Sequence, residues 1–287
     1  MSLTFVPTPL GNLRDITLRA LEVLRDCTLI VAEDTRVTRR LLSAHGLSGK
    51  RLVSYREANA DAVTPMILER AQREAVAVLS DAGMPAVSDP GRELIVAARA
   101  AGIAIEVLPG PVAFIGAAVL SGFPLEGLTF GGFVPRVRGA RRTAFEAALE
   151  RGATSAWYES PQRIRTSLEA LRDIDPTARV FVLREWTKRY EQQILGTPAE
   201  AALALAQPVR GEIVLVIGPR SPQSRARPGP DDLDAAIDRA LGEGRSVAAI
   251  AKALARERAG SRAELYARVA ARKRARAARE GAGDDPG

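Results

Sequence analysis

Ala75-Val76-Ala77-Val78-Leu79-Ser80-Asp81-Ala82-Gly83-Met84-Pro85-Ala86-Val87-Ser88-Asp89-Pro90-Gly91 is the stretch whose reading decides the fold. Its first five residues are apolar and uncharged. A run this short, bounded by turn residues, reads as a strand buried on both faces, as in a parallel sheet. The chain then turns through small residues and a proline, which leaves Asp81 at the carboxyl end of a buried strand. Open α/β sheets bind their ligands there. Ser88-Asp89-Pro90-Gly91 reads as a helix start, with Asp89 as N-cap and Pro90 as the first helical residue.

Working outward, residues 3–6 form a strand and residues 7–13 leave it as a loop. Asp15 caps a helix that puts Leu18, Leu21 and Leu24 on one face. Residues 28–32 are the next strand, ending in Glu33-Asp34-Thr35-Arg36, and residues 51–55 a third. A helix over 60–73, the central strand, a helix over 91–101 and a strand over 103–108 follow. Strands alternating with helices predict a parallel α/β sheet. Pro109-Gly110-Pro111 ends the last strand and opens a helix over 113–121; three breakers in a row expose backbone on which a flat ligand can lie.

The pattern then restarts, with strands over 129–133, 154–158, 179–183 and 211–217 and helices over 140–151 and 162–172. Thr197-Pro198-Ala199-Glu200 is a capping box. The fold class is therefore α/β, with two α/β domains, 1–111 and 112–219, and a ligand cleft between them. A Pro/Arg/Ser linker occupies 220–230, a basic helical domain 231–280 and a disordered tail 281–287. In the helical domain Val247, Ile250, Ala251 and Leu254 share a face. Ser261 and Glu264 form a capping box that turns Leu265, Tyr266 and Val269 inward. A small packed bundle and a helix-turn-helix both fit this pattern.

A chain of 287 residues with 46% hydrophobic and 26% charged residues can bury a sizeable core. No apolar run approaches a membrane span, and the first strand begins almost at Met1, so no signal peptide is expected. The one cysteine, Cys27, excludes an internal disulfide, and the cytosol is the simplest compartment. The one histidine, His45, stands at a predicted helix end, so a Ser-His-Asp triad or a histidine-rich metal site is not expected. The net charge of +7 is uneven: between Lys252 and Arg279 there are ten Lys/Arg and two Glu, a local +8. That surplus fits a solvated helical face or an electrostatic foot for RNA.

Polar residues close several strands: Asp34 and Asp81 in the first domain, Glu159, Glu185 and Glu212 in the second. The sequence holds no phosphate-loop motif, no G-x-G-x-x-G after a predicted strand and no G-x-S-x-G elbow. Composition and spacing alone stop at a two-domain α/β protein with a cleft ligand and a basic tail.

Five segments, in order, carry a resemblance. They are Pro7 to Thr17, Ala32-Glu33-Asp34-Thr35-Arg36, Ser80 to Gly91, Pro109-Gly110-Pro111 and Glu159-Ser160-Pro161. Together they resemble the ribosomal RNA small subunit methyltransferase I family, within the tetrapyrrole methylase superfamily, over about residues 4–217. The resemblance implies a cytoplasmic homodimer. It would use S-adenosylmethionine to methylate the ribose 2′-oxygen of a decoding-site cytidine in the 16S rRNA of the small ribosomal subunit. Carried over by position, it implies a cofactor pocket at Leu10, Asp81, Met84, Val112, Ala113, Tyr158, Leu183 and Ile213. Glu33, Asp34, Glu185 or Glu212 would accept the hydroxyl proton, and Lys188 or Arg36 would hold RNA phosphate. Where related sequences often have histidine this chain has Val37, Ala58 and Gln162, so no histidine role is expected. The family's Pro-Gly-Pro-Ser is Pro-Gly-Pro-Val here, so Val112 can offer only main chain.

Overall fold

The computed structural model describes residues 2–220, 230–256 and 262–281. Contacts divide the chain into two units, Met1–Arg220 and Ser221–Gly287. Most of the expected linker, Ser261 of the expected capping box and nearly all of the expected tail lie outside the described residues.

The first sheet contains β1 (Ser2–Phe5), β2 (Leu29–Ala32), β3 (Arg51–Ser54), β4 (Val76–Leu79) and β5 (Ala104–Val107). They run parallel in the order β3-β2-β4-β1-β5. All residues of β2 and β4 are buried, as uncharged runs in a sheet covered on both faces should be. Side chains alternate between faces. Leu3, Phe5, Leu29, Val31, Val76 and Val78 pack with α3 (Ala60–Ala71) and α4 (Arg92–Ala100). Ile30, Ala77 and Leu79 pack instead with α1 (Leu18–Asp26) and α2 (Thr35–Ala44).

The division of helices follows from handedness. The chain moves one way from β1 to β2 to β3, then back to β4 and β5. Right-handed crossovers put the helices of the two directions on opposite faces. β4 thus lies between two strands whose following helices leave on the other side, and a crevice opens at its carboxyl end.

Two helix starts differ from the sequence reading. α4 begins at Arg92, with Gly91 as its N-cap at φ 143°. Glycine adopts that backbone angle readily and other residues do not. The turn therefore runs two residues past Asp89, which caps nothing. Likewise Thr17, not Asp15, caps α1 by accepting from the Ala20 amide. That start turns Leu18 outward, 78% exposed, and leaves Ala20 and Leu24 as the buried face. His45 does end α2, with Nε2 3.1 Å from the Leu13 carbonyl oxygen.

The second sheet contains β6 (Thr129–Phe133), β7 (Ser155–Glu159), β8 (Val180–Arg184), β9 (Gln192–Gly196) and β10 (Ile213–Ile217), ordered β6-β7-β10-β8-β9. Here the parallel expectation fails: β6 and β7 are parallel, but β10 is antiparallel to β7 and β8, and β8 to β9. The short link between β8 and β9 allows only a hairpin-like return, since a parallel crossover needs a dozen residues or more. β9 was not foreseen, because Gln192-Gln193-Ile194-Leu195 buries only Ile194 fully.

α5 (Ala113–Ser121) covers one face of this sheet at Ala156, Phe181, Leu183, Val214 and Val216. α6 (Arg138–Arg151), α7 (Ile164–Ile174) and α8 (Pro198–Ala204) cover the other. The capping box at Thr197 and Glu200 forms as the sequence predicts. Glu159, at the end of β7, is a structural pin: its fully buried carboxylate accepts from the Ser160 amide (2.7 Å), the Ser167 hydroxyl (2.5 Å) and Arg163 (2.5 Å).

The helical unit contains α9 (Pro230–Gly242), α10 (Val247–Arg256) and α11 (Arg262–Gly281). Leu233, Ile237, Ile250, Ala251, Leu254, Leu265 and Val269 form its core. Tyr266, expected inward, is 51% exposed. Two of the basic residues are used inside the unit: Arg268 pairs with Asp234 at 2.7 Å, and Arg272 with Asp234 and Asp238.

Two consequences can be measured. Arg163→Ala leaves the Glu159 carboxylate buried without its cation and should cost about 3 kcal/mol in urea unfolding. A loss below about 1 kcal/mol would mean that the amide and hydroxyl suffice. A Cβ at Gly116 would lie 1.9 Å from the Trp186 ring. Gly116→Ala should therefore cost about 1–3 kcal/mol and shift tryptophan emission; unchanged emission and stability would place Trp186 elsewhere.

Candidate active site

The carboxyl ends of β1, β2 and β4 meet at the crevice that the winding creates. Thr8, just after β1, forms a two-way main-chain bridge with Gly83 of the β4 loop, and its hydroxyl donates to the Ser80 carbonyl. β2 and β4 are tied by their terminal acids. The Asp34 amide donates to Asp81 Oδ1 at 2.9 Å, and the Asp81 amide to Glu33 Oε2 at 3.3 Å. The β4 loop is held in an unusual shape, with Ala86 at φ 67° and Ser88 at φ 66°. Left-handed backbone at non-glycine residues is stored strain, which gathers at functional sites.

The edge of the second sheet closes the crevice from the other side. Tyr158 and Leu183 lie one residue before the ends of β7 and β8, and Glu212 immediately precedes Ile213, the first residue of β10, which runs antiparallel to both. Between the two sheets lies a cavity of about 380 Å³. It is lined by all eight residues expected at the cofactor: Leu10, Asp81, Met84, Val112, Ala113, Tyr158, Leu183 and Ile213. Of the six expected to act on the substrate, Glu33 and Glu212 line it, whereas Asp34, Arg36, Glu185 and Lys188 do not.

Those four form two ion-paired clusters. Asp34 caps α2 and holds Arg36 through both carboxylate oxygens, at 2.5 Å to Nη2, with Arg56 at 3.6 Å. Arg36 beside it holds the Asp34 carboxyl well below the usual carboxylate range. In the second cluster Lys188 Nζ bridges Glu185 (3.0 Å) and Glu212 (2.8 Å), and the Glu212 amide donates to Glu185. Burial opposes the charge of Glu185, but the Glu212 amide and Lys188 outweigh it and bring its pKa down. Glu185 sits at φ 52°, and a Cβ on Gly211, at φ 89°, would strike its carboxyl group at 2.3 Å. The loop is latched to the first domain by the Asn12 amide, which donates to Thr187 Oγ1 at 3.0 Å.

The cavity has one electrostatic sign. Glu33, Asp81, Asp89, Glu159 and Glu212 line it, and no lysine, arginine or histidine among the described residues does. Burial raises the Glu33 and Asp81 carboxyls. It pushes Asp89 up to about 7, aided by the charges of Glu33, Asp81 and Glu212, while a contact with the Ser80 hydroxyl works the other way. Burial also pushes Tyr158 up to about 12, so its phenol stays neutral. Apolar walls come from Leu10, Met84, Val112, Leu183 and Trp186. Phe130 and Phe133 meet the Tyr158 ring edge-on, with Phe114 stacked on Phe130 at 4.2 Å.

Such a cavity suits a ligand that is part flat and apolar, part cationic, and its size lies in the ~300–1,000 Å³ range of cofactor sites. S-adenosylmethionine has this character: an adenine for the apolar walls and a sulfonium for the carboxylates. Sequence reasoning missed Asp89 and Trp186 as lining residues. Asp89 was hidden by its resemblance to a cap, and nothing in the order of residues placed Trp186 against Gly116. Among the described residues, no group of acidic, histidine and cysteine side chains could hold a metal ion.

The family model described as Tetrapyrrole (Corrin/Porphyrin) Methylases matches residues 2–203. A protein of Halalkalibacterium halodurans named ribosomal RNA small subunit methyltransferase I is 40% identical over 218 residues, 75% of this chain and 75% of that one. A protein of the same name from Hydrogenobaculum sp. is 41% identical over 222 residues, 76% of this chain and 95% of that one. Two solved structures share the fold. A diphthine synthase has TM-score 0.60 and 17% identity over 76% of this chain and 90% of its own. A uroporphyrin-III-C-methyltransferase from Thermus thermophilus has TM-score 0.54 and 23% identity over 76% of this chain and 94% of its own. Sequence match and architecture agree: this chain belongs to the ribosomal RNA small subunit methyltransferase I family of the tetrapyrrole methylases.

Proposed function

We propose that this protein transfers a methyl group from S-adenosylmethionine to the ribose 2′-oxygen of a decoding-site cytidine in the 16S rRNA of the small ribosomal subunit. The observation that carries the reading is the acidic, cation-free cavity at the carboxyl end of β4, in a chain whose relatives bear the name of a small-subunit rRNA methyltransferase. When bound, S-adenosylmethionine supplies an electrophilic methyl group on a cationic sulfur.

The chain's own residues do the rest. Asp81 and Glu33 stabilise the positive charge, and Leu10, Met84, Val112, Ala113, Tyr158, Leu183 and Ile213 hold the flat part of the cofactor. Asp34 and Glu185 are each spent on cations, which makes them poor proton acceptors. Their proposed role is to fix Arg36, Arg56 and Lys188 beside the cavity, where phosphates of an RNA strand can be held. Holding the acceptor oxygen in line with the methyl carbon is the larger part of such a reaction. In the helical unit Lys273 and Arg274 are exposed and are offered as further phosphate contacts. A homodimer in the cytoplasm belongs to the same proposal; no helix among the described residues is long and apolar enough to cross a membrane.

Unmethylated small subunits and naked 16S rRNA, incubated with labelled S-adenosylmethionine, should give label on one ribose 2′-oxygen in the decoding region, mapped by nuclease digestion and mass spectrometry. Label on a base, or on neither RNA while the cofactor binds, would sink the reading. Asp34→Asn should weaken RNA binding about tenfold and leave cofactor affinity unchanged, because it frees Arg36 and Arg56; weakened cofactor affinity would place Asp34 in the cofactor site instead. RNA affinity should fall with salt, and Arg36→Ala should flatten the log–log slope by about 0.7–0.9, one phosphate contact. An unchanged slope would remove Arg36 from the RNA path.

A further inference from the structure

Five acidic residues line the cavity and are not bonded alike; the Glu159 carboxylate is the one pinned by Arg163, the Ser160 amide and the Ser167 hydroxyl. Glu33 accepts the Asp81 amide, Asp81 accepts the Asp34 amide, and Glu212 pairs with Lys188. Each of these three has a main-chain N–H or a cation that favours its charged form. Asp89 lines the same cavity with neither; the nearby Ser80 hydroxyl donates to the Gly83 carbonyl at 3.2 Å. It stands on the strained segment between Ala86 and Gly91, two residues before the N-cap of α4, and lines the cavity.

We infer that Asp89 accepts the proton of the attacking hydroxyl, and that its own ionisation is governed by the charge of the methyl donor. The inference rests on the methyl-transfer reading above. In the ligand-free protein burial holds Asp89 at about 7, with Glu33 from β2, Asp81 from β4 and Glu212 from β10 adding their negative charge. From β7, Tyr158 stays neutral and Glu159 is ion-paired to Arg163. Near neutral pH part of the population therefore carries a proton on Asp89. A cation brought into the cavity favours the carboxylate and expels that proton to solvent. Asp89 is then ready to act as a base only when the methyl donor is present. It takes the hydroxyl proton as the O–CH3 bond forms and the S–CH3 bond breaks, with the electron pair left on sulfur. One positive charge is lost at sulfur and one is gained at Asp89, so the net charge of the cavity is unchanged across the reaction. The neutral thioether product is then matched to the protonated carboxyl.

The test is calorimetric. S-adenosylmethionine and S-adenosylhomocysteine are titrated into the full chain at pH 7, each in two buffers of different ionisation enthalpy. Binding of the sulfonium should release a measurable fraction of a proton, and more than binding of the thioether releases. In Asp89→Asn both ligands should still bind, the difference in proton release should vanish, and the single-turnover rate should fall about 10²–10⁴-fold. The wild-type rate should rise with pH and level off, and that dependence should be lost in the variant. Equal proton release by the two ligands in the wild type, or an unchanged difference in Asp89→Asn, would overturn the inference while leaving methyl transfer intact. If neither ligand bound the wild type, the methyl-transfer reading itself would fall, and this inference with it.

Discussion

A single geometric constraint positions everything that matters in this chain: β4 is inserted between β2 and β1, whose helices depart on the opposite face. Because crossovers are right-handed, the return from β3 changes the face on which helices can lie. The loop after β4 therefore has no helix packed directly over it on the side of its neighbours, and it spreads across their ends. Thr8 and Gly83 bridge it to β1, and Asp81 ties it to β2 through the Asp34 amide. Lengthening or shifting β4 by one residue would exchange the two faces of Val76–Leu79 and carry Asp81 out of reach of both.

The second sheet uses a different logic to reach the same place. β10 runs antiparallel to β7 and β8, so the ends of β7 and β8 and the beginning of β10 lie at one edge. Tyr158, Leu183 and Glu212 come to the cavity from three strands for that reason. A parallel sheet would have put Glu212 at the far end. The departure from the expected parallel pattern is thus a condition for the acidic cavity.

How far these features were legible follows from their range. β2 and β4, buried on both faces, announce themselves as uncharged runs, and the capping box at Thr197 and Glu200 depends on four consecutive residues. The fold class and the eight positions that line the cavity were readable because they depend on such local patterns, or on motifs that keep their order in a family. Strand direction in the second sheet was not, since it depends on which partner a strand finds. The edge strand β9 was not, since an edge needs to bury only one side chain in two. Asp89 illustrates a finer limit. Ser-Asp-Pro-Gly satisfies the local rules for a helix cap, and only the left-handed angle at Gly91 overrules them.

The charges are sorted by the same geometry. Asp34 holds Arg36 and Arg56, Glu185 and Glu212 together hold Lys188, and none of these three cations lines the cavity. A free cation inside would neutralise the field that favours a sulfonium, and at short range it would cost the ligand as much as one carboxylate offers. Held outside, the same cations present a positive rim to a polyanion. An acidic cavity and a basic edge thus stand within a few residues of sequence, and the ion pairs of Arg36 and Arg56 with Asp34, and of Lys188 with Glu185 and Glu212, keep the cations at that edge.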